Sequence, residues 1–168
     1  IVKKYLGLQY APIPSKFFET GIYRVNEGSI LSVIGSSDKH NLINPFLIYL
    51  DKLSTKVDKI VILSPSFNKL VLIDFQKKYK NIIFKQNVSK LENYIKEASV
   101  IVTTYGNTTF QAMASKVPTF TVAFQDFQNL YGAKLESLGF CVNLGMFESL
   151  HLEKLTLLTN DDFKIEMH

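Results

Sequence analysis

Cysteine is nearly absent from this sequence, and tryptophan is missing altogether. The single cysteine, Cys141, cannot form a disulfide framework or a cysteine-based metal site, and this favours a reducing compartment such as the cytoplasm. Its surroundings, GFCVNLG, are typical of a small buried strand residue rather than of a catalytic thiol. We therefore expect a cytoplasmic protein without a metal or an organic cofactor.

Arginine is also scarce, because Arg24 is the only one. The net charge of +4 comes from lysines spread over the whole chain. Nucleic-acid binders usually concentrate basic residues on one face, so the charge pattern argues against that class. No apolar run approaches the roughly 18 residues of a membrane span, and no signal peptide is recognisable. The chain begins at Ile1 rather than methionine, and we expect it to be a piece of a longer polypeptide.

What the chain does contain is a regular alternation of short apolar runs and helical patterns. The runs are nearly continuous in apolar residues, which is typical of parallel strands buried on both faces. Predicted strands cover 30–35, 59–64, 81–85, 99–104, 118–124 and 140–144, and predicted helices cover 41–54, 67–80, 90–98, 109–115, 127–138 and 150–158. This alternation predicts an α/β fold, a three-layer Rossmann-like doubly wound parallel sheet of about six strands over 29–168. Residues 1–28 read as a lead-in or linker.

Several helix starts carry recognisable signals. Pro45 falls in the first turn of the first helix, where proline is tolerated. Ser89 to Glu92 matches a capping box, and Thr108 to Gln111 matches another. Ser64 and Pro65 are suited to the N-cap and first position of the second helix.

Two loops attract attention because each joins a strand to a helix with a glycine and small polar residues. They are GSSDKHN (35–41) and YGNTT (105–109). In a strand order of 3-2-1-4-5-6 these loops face each other where the order reverses, which is where such sheets bind ligands. Glycine, hydroxyls and free N–H groups at a helix start suit an anion, especially phosphate. The alternative interpretation is that Ser37 and Thr108 are simple N-caps and the glycines only make turns.

Known nucleotide motifs narrow the choice of ligand. A dinucleotide site requires G-x-G-x-x-G after the first strand and an acidic residue at the end of the second, whereas this chain has GSSD and then Ser64. No G-K-[ST] sequence of a phosphate-binding P-loop occurs. NAD and Walker-type ATP chemistry are therefore disfavoured. Asp38 and His40 border the predicted crevice. A single carboxylate beside a loop is more typical of a cap than of a base, and His40 is either a solvent-facing residue at a helix start or a phosphate contact, so no general base is assigned.

The motifs in their order resemble the C-terminal half of GT-B-fold sugar-nucleotide enzymes. The segments that carry the resemblance are GSILSVIGSSDKHNLI, IVILSPSF, the long stretch from KNIIFKQNVSKLENYIKEASVIVTTYGNTTF to QAMASKVPTFTV, and FQNLYGAKLESLGFCVNLG. They are most similar to the UDP-sugar hydrolases of pseudaminic acid biosynthesis and more distantly to the peptidoglycan N-acetylglucosaminyltransferases. The lead-in YLGLQYAPIPSKFF is similar to the linker of the hydrolases.

The resemblance implies a role for each predicted substrate-binding residue. Loop residues would face the diphosphate, a second group would border the uracil, and Gln111 would stand where a glutamate grips the ribose. Gln128 would lie near the sugar. The diphosphate group is Gly35, Ser36, Ser37, Gly106, Asn107, Thr108 and Thr109, and the uracil group is Pro65, Ser66 and Phe67. Tyr105 is a further predicted substrate-binding residue in the same loop. The family's catalytic histidine lies in an N-terminal domain, so no catalytic residue is assigned here.

The sequence also departs from the family pattern. Ser36 and Tyr105 replace glycines, Gln111 replaces the ribose glutamate, Lys116 replaces a glycine before Val-Pro, and Tyr131 replaces an asparagine. A tyrosine at 105 would either stack on something or fill part of the crevice. The resemblance implies the UDP-sugar-binding half of a bacterial hydrolase or glycosyltransferase for surface polysaccharide or pseudaminic acid, inactive by itself. The alternative is a non-catalytic, degenerate GT-B-like module that serves domain or partner contacts.

Overall fold

The computed structural model of the chain describes residues 11–18, 28–34, 43–151, 153, 154 and 156. The strands are β1 Ser29–Ile34, β2 Lys59–Leu63, β3 Ile83–Gln86, β4 Ala98–Thr104, β5 Thr119–Ala123 and β6 Val142–Met146. The α-helices are α1 Asn44–Lys52, α2 Lys69–Lys78, α3 Leu91–Lys96, α4 Asn107–Ala114 and α5 Asp126–Ser137. All six strands form one parallel sheet in the order β3-β2-β1-β4-β5-β6. The predicted doubly wound α/β fold is confirmed.

Both faces of the sheet are buried, and this explains the continuous apolar runs of its strands. On one face, Ile30 and Ile34 of β1 belong to a core cluster with Phe46 of α1. On the other face, Leu31 and Val33 of β1 belong to a second cluster, which includes residues of α3 and α4. Because successive strand residues point to opposite faces, β1 contributes to both cores.

The strand order reverses between β1 and β4, which are direct neighbours. Val33 pairs with Thr103, and the Thr103 hydroxyl donates a hydrogen bond of 2.9 Å to the Val33 carbonyl. The chain therefore leaves β1 after Ile34 and leaves β4 after Thr104 at the same side of the sheet. We call this side, formed by the ends of β1, β2 and β4, the carboxyl edge.

The predicted helix over 150–158 is wrong at its start, and its later described residues Glu153, Lys154 and Thr156 have 3-10 rather than α-helical geometry. Leu150 and His151 are not helical, and a short 3-10 turn occupies Phe147–Ser149 instead. The reason is a backbone bond, because the His151 N–H donates to the Leu144 carbonyl at 2.9 Å. This bond returns the chain alongside β6 and prevents a helix from starting at Leu150.

Two predicted helix starts are also wrong. Asn68 caps α2 through Oδ1, which accepts from the Leu70 N–H at 2.8 Å, so Ser64 and Pro65 lie in the preceding turn. Lys90 is the N-cap of α3 and makes no side-chain capping bond. Glu92, the expected capping partner, forms an ion pair of 2.9 Å with Lys16 of the lead-in.

Part of the predicted lead-in packs on the domain. Its described segment contains a 3-10 turn at Ser15–Phe17, and Phe17 is only 2% exposed within the second core cluster. The Ser115 hydroxyl at the end of α4 donates to the Phe17 carbonyl at 2.9 Å. None of the helices in the described ranges has the length and apolar character needed to cross a membrane.

Candidate functional site

The turn between β4 and α4 lies on the carboxyl edge and is closed by Thr109. The Thr109 N–H donates to the Gly106 carbonyl at 3.0 Å, and its hydroxyl accepts from the Gly106 N–H at 3.3 Å. The same hydroxyl donates to the Thr104 carbonyl at 3.2 Å. Gly106 is thus the N-cap, and the predicted capping box of Thr108 and Gln111 is wrong because the helix starts two residues earlier.

Two backbone donors and several side chains remain available at the start of α4. The N–H groups of Asn107 and Thr108 occupy the first two helical positions, where no intrahelical acceptor exists. Asn107 is exposed, while Thr108 and Gln111 are half-buried. Their side chains make no hydrogen bond to other residues in the described part of the chain. Thr109, by contrast, is fully buried and its hydroxyl is committed to the turn.

Gly106 is a glycine that the fold itself does not require. Among the residues that the structure describes, a Cβ atom added there would meet only the Thr104 carbonyl oxygen, at 3.9 Å. Its φ of 164° is extended backbone, so the conformation does not demand glycine either. Glycine is one of the residues found at N-caps, but neither packing against the described residues nor backbone geometry requires it here. Without a side chain, Gly106 adds no bulk at the start of α4.

A small cavity of about 190 Å³ lies on the same carboxyl edge, at the ends of β1 and β2. Its walls are mainly apolar, and its rim carries the polar groups of Ser64 and Asn87. The wall residues are Val33, Ile34, Ile62, Leu63, Pro65, Val88 and Leu91. Such a volume is well below that of a site for a drug-sized molecule, so the cavity suits a small ring system such as a base.

The sequence interpretation missed the part of this cavity that follows β3. Asn87 adopts a left-handed φ of 58°, which asparagine tolerates better than most residues. Gln86 fixes the opposite wall, because its Nε2 donates to the carbonyls of Ser64 and Phe67 at 2.9 Å each. In the sequence, Gln86 and Asn87 directly follow the predicted strand 81–85, and this polar pair was the signal that could have indicated the wall of a site.

The three residues predicted to border the uracil have different positions. Pro65 lines the cavity. Ser66 is exposed, and its hydroxyl lies 2.8 Å from that of Ser64. Phe67 packs in the core cluster on the α1 face, with its ring centroid 5.9 Å from that of Phe75. The structure thus brings only Pro65 of this group to the cavity wall.

Gln128 lies near the start of α5 and is 8% exposed. Its Oε1 accepts a hydrogen bond of 2.9 Å from the Phe124 N–H, which fixes the orientation of the side-chain amide. The Nε2 group has no partner among the residues that the structure describes, and it remains a donor. Gly35, Ser36, Ser37, Asp38 and His40 lie outside the described residues, so their predicted roles stay predictions.

Tyr105 stacks on Tyr131 of α5, with ring centroids 5.1 Å apart and an interplanar angle of 15°. The edge of Phe110 completes the cluster, at 5.7 Å from the Tyr105 ring. Burial, and to a smaller extent the proximity of Tyr131, raises the pKa of the Tyr105 phenol above its ordinary value. Of the two outcomes expected for a tyrosine at 105, stacking is the one observed.

Groups that would indicate metal chemistry are absent from the described ranges. No set of three or more His, Cys, Asp or Glu side chains is arranged there to hold an ion. The described part of the carboxyl edge therefore offers hydrogen-bond donors and apolar surface. This combination suits an anionic ligand that carries a ring.

Comparisons with known proteins extend the description of the fold. No protein family matches the chain by sequence, and no curated protein shows significant sequence similarity. Among solved structures, MurG of Acinetobacter baumannii is similar, with a TM-score of 0.61, 16% identity, and coverage of 95% of this chain and 48% of MurG. TarM is also similar, with a TM-score of 0.58, 15% identity, and coverage of 89% of this chain and 32% of TarM. Both are GT-B glycosyltransferases, and this chain has the Rossmann-like fold of a GT-B domain over less than half of their length.

Proposed function

We propose that this chain is the nucleotide-binding domain of a GT-B glycosyltransferase or related UDP-sugar hydrolase, and that it binds UDP or a UDP-sugar at the carboxyl edge. The observation that carries the proposal is Gly106 at the start of α4, where a Cβ atom would meet almost no atom of the described residues and packing does not require a glycine. The opening it leaves lets an anion approach the free N–H groups of Asn107 and Thr108, where the helix dipole favours negative charge. The diphosphate of a sugar nucleotide meets this requirement.

The cavity at the ends of β1 and β2 supports a nucleobase as the ring of the ligand. It is mainly apolar, and its volume of about 190 Å³ admits a base, while the preference for uracil rests on the family resemblance. The cavity lies at β1 and β2, and α4 follows β4. Neighbouring strands are about 4.8 Å apart, so the two places are separated by about 10 Å. A ribose with its phosphates bridges a gap of this order, and Gln111 stands one turn into α4 as a donor for ribose hydroxyls.

The parent protein would add an N-terminal domain. The chain covers 48% of MurG and 32% of TarM, so both relatives contain considerably more than this one domain. In our proposal the missing domain supplies the catalytic group, and the isolated chain binds the ligand without turning it over. The resemblance to the pseudaminic acid hydrolases favours surface polysaccharide or nonulosonic acid synthesis as the pathway class.

Calorimetric titration of the 168-residue chain with UDP, ADP, CMP and NAD tests the proposal. We expect UDP to bind with a Kd of about 1 mM or tighter, which corresponds to about 4 kcal/mol, and ADP and NAD to bind more weakly. CMP is expected to be weaker than UDP because it lacks the second phosphate. Preference for ADP or NAD, or no heat with UDP at several millimolar, would overturn the proposal.

A degenerate module is the second candidate, and the stacked tyrosines are the observation that favours it. The family resemblance implies a glycine and an asparagine at the positions of Tyr105 and Tyr131, whose rings stack on each other near the start of α4. If they block the site, Tyr105→Gly would bind UDP while the natural chain would not. Equal binding by both proteins would exclude blockage.

A further inference from the structure

The stacked pair Tyr105 and Tyr131 has features of a ligand surface as well as of a packing contact. Tyr105 is only half-buried, and Tyr131 is 50% exposed although one of its ring faces lies against Tyr105. Much of the opposite side of the Tyr131 ring is therefore open to solvent. A stack that served packing alone would gain more by burying both rings, because the stabilisation grows with the apolar area removed from water.

The stacked pair is close in the fold to the proposed phosphate-binding residues at the start of α4. Tyr105 immediately precedes Gly106, the N-cap of α4, and its ring packs between Phe110 of α4 and Tyr131 of α5. Tyr131 lies three residues beyond Gln128 on α5, which places the two side chains on the same side of that helix. The aromatic surface is thus flanked by the phosphate donors of α4 and by the free amide nitrogen of Gln128.

The group attached to the second phosphate of a sugar nucleotide is a pyranose ring. Such a ring presents an apolar face of C–H bonds and a rim of hydroxyl groups. An exposed aromatic face can pack against the C–H bonds, because the negative face of the ring attracts their partial positive charge. A fixed amide donor such as Gln128 Nε2 can bond a hydroxyl on the rim.

We propose that the Tyr105–Tyr131 stack is the surface on which the sugar ring of a UDP-sugar packs, with Tyr131 making the contact and Tyr105 supporting it. This inference rests on the proposed function, since it requires the diphosphate at Gly106–Thr108. It assigns Tyr131 as a residue that sets the preference for a UDP-sugar over UDP. It also gives a role to two residues that depart from the family pattern.

Titration of the full 168-residue chain with UDP and with UDP-N-acetylglucosamine tests this assignment. We expect the natural chain to bind the UDP-sugar about threefold to tenfold more tightly than UDP. Tyr131→Ala is expected to abolish this preference and to leave the Kd for UDP within about twofold. Tyr131→Phe, which keeps the ring, is expected to retain the preference.

Leu130→Ala is the matched control. Leu130 is 68% exposed and adjacent to Tyr131, but it points about 100° away around the helix, so its removal should not change the preference. Thermal unfolding of each variant verifies that it folds. If Tyr131→Ala binds UDP and keeps the same preference for UDP-N-acetylglucosamine over UDP as the natural chain, this inference is overturned while the proposed function stands. Absence of UDP binding in every variant would overturn the proposed function and this inference with it.

Discussion

Lys116 occupies the same position at the end of α4 that Gly139 occupies at the end of α5. Both have a left-handed φ, 57° for Lys116 and 77° for Gly139. In α4 the N–H groups of Lys116 and Val117 donate to the carbonyls of Met113 and Ala112, at 2.9 and 3.2 Å. In α5 the N–H groups of the two corresponding residues close the helix with equivalent bonds. Both helices thus end in a Schellman motif, but only one has the glycine that this conformation favours.

This relationship predicts that Lys116→Gly stabilises the protein. A left-handed conformation costs a residue with a Cβ about 1–2 kcal/mol, whereas glycine loses about 0.5–1 kcal/mol more backbone entropy on folding. We therefore expect the free energy of unfolding to rise by about 0.5–1 kcal/mol. Urea denaturation followed by circular dichroism measures the change.

Gly139→Ala provides the mirror experiment. A Cβ atom at Gly139 would have no heavy atom of the described residues within 4 Å, so backbone strain is what opposes the substitution. We expect a loss of about 1 kcal/mol. Equal effects of the two substitutions, or destabilisation by Lys116→Gly, would show that the left-handed strain at Lys116 is not what the geometry indicates.

Thr108 and Thr109 are adjacent but are expected to respond differently to substitution. Thr109→Val removes the hydroxyl that bonds the Thr104 carbonyl and the Gly106 N–H, and we expect a loss of about 1–2 kcal/mol of stability. Thr108→Val should leave stability within about 0.5 kcal/mol, because its hydroxyl has no partner in the described ranges, yet it should weaken UDP binding. Chemical denaturation and calorimetry separate the two effects. Loss of stability in Thr108→Val, with none in Thr109→Val, would mean that the Thr108 hydroxyl is the one that stabilises the turn.

The sheet could be predicted from the sequence because its signal is local. Each strand is a short apolar run, and the alternation with helices leaves few possible topologies. The start of α4 could not be placed correctly, because Gly106 has no side chain to signal a cap and the closing residue Thr109 lies inside the helix. The Tyr105–Tyr131 contact was out of reach as well, since it depends on how α4 and α5 lie next to each other. Asn87, Val88 and Leu91 were missed because the cavity they line needs three strands to be assembled.

The glycines offer a test of which positions the fold requires. The free energy of unfolding of Gly106→Ala is expected to stay within about 0.5 kcal/mol of that of the natural chain. The variant is expected to bind UDP about tenfold more weakly, because a methyl group enters the space of the ligand. Gly132→Ala is the control. Its Cβ would lie 2.8 Å from Thr121 Oγ1 and 2.9 Å from Asn143 Oδ1, and we expect a loss of about 1–3 kcal/mol of stability. Undiminished UDP binding by Gly106→Ala would refute the role given to this glycine.

Cys141 is expected to be unreactive in the folded protein. It is buried, and burial is the main cause that raises the pKa of its thiol to about 11. With its pKa raised from 9.0 to about 11, the thiol has about 100-fold less thiolate at pH 8, and alkylation by iodoacetamide should slow at least in proportion. Denaturant should restore the ordinary rate.

The same shift predicts how stability depends on pH. The unfolded chain, with a thiol pKa near 9.0, loses this proton before the folded chain does. Stability contributed by Cys141 is therefore lost as the pH rises from about 9 to about 11. Comparison with Cys141→Ala isolates this contribution. Identical pH profiles of the two proteins, or rapid alkylation of the folded chain, would contradict the burial of the thiol.

The central claim is that the carboxyl edge of the sheet binds a UDP-containing ligand, and mapping of amide resonances during a UDP titration tests it most directly. We predict that the largest shift changes in the ¹H–¹⁵N spectrum fall on Gly106, Asn107, Thr108 and the cavity residues Val88 and Leu91. A second, more open cavity lies at the opposite side of the sheet, around residues 51–59, and serves as an internal control. Shift changes confined to that cavity, or absent at the start of α4 when UDP is saturating, would contradict the account.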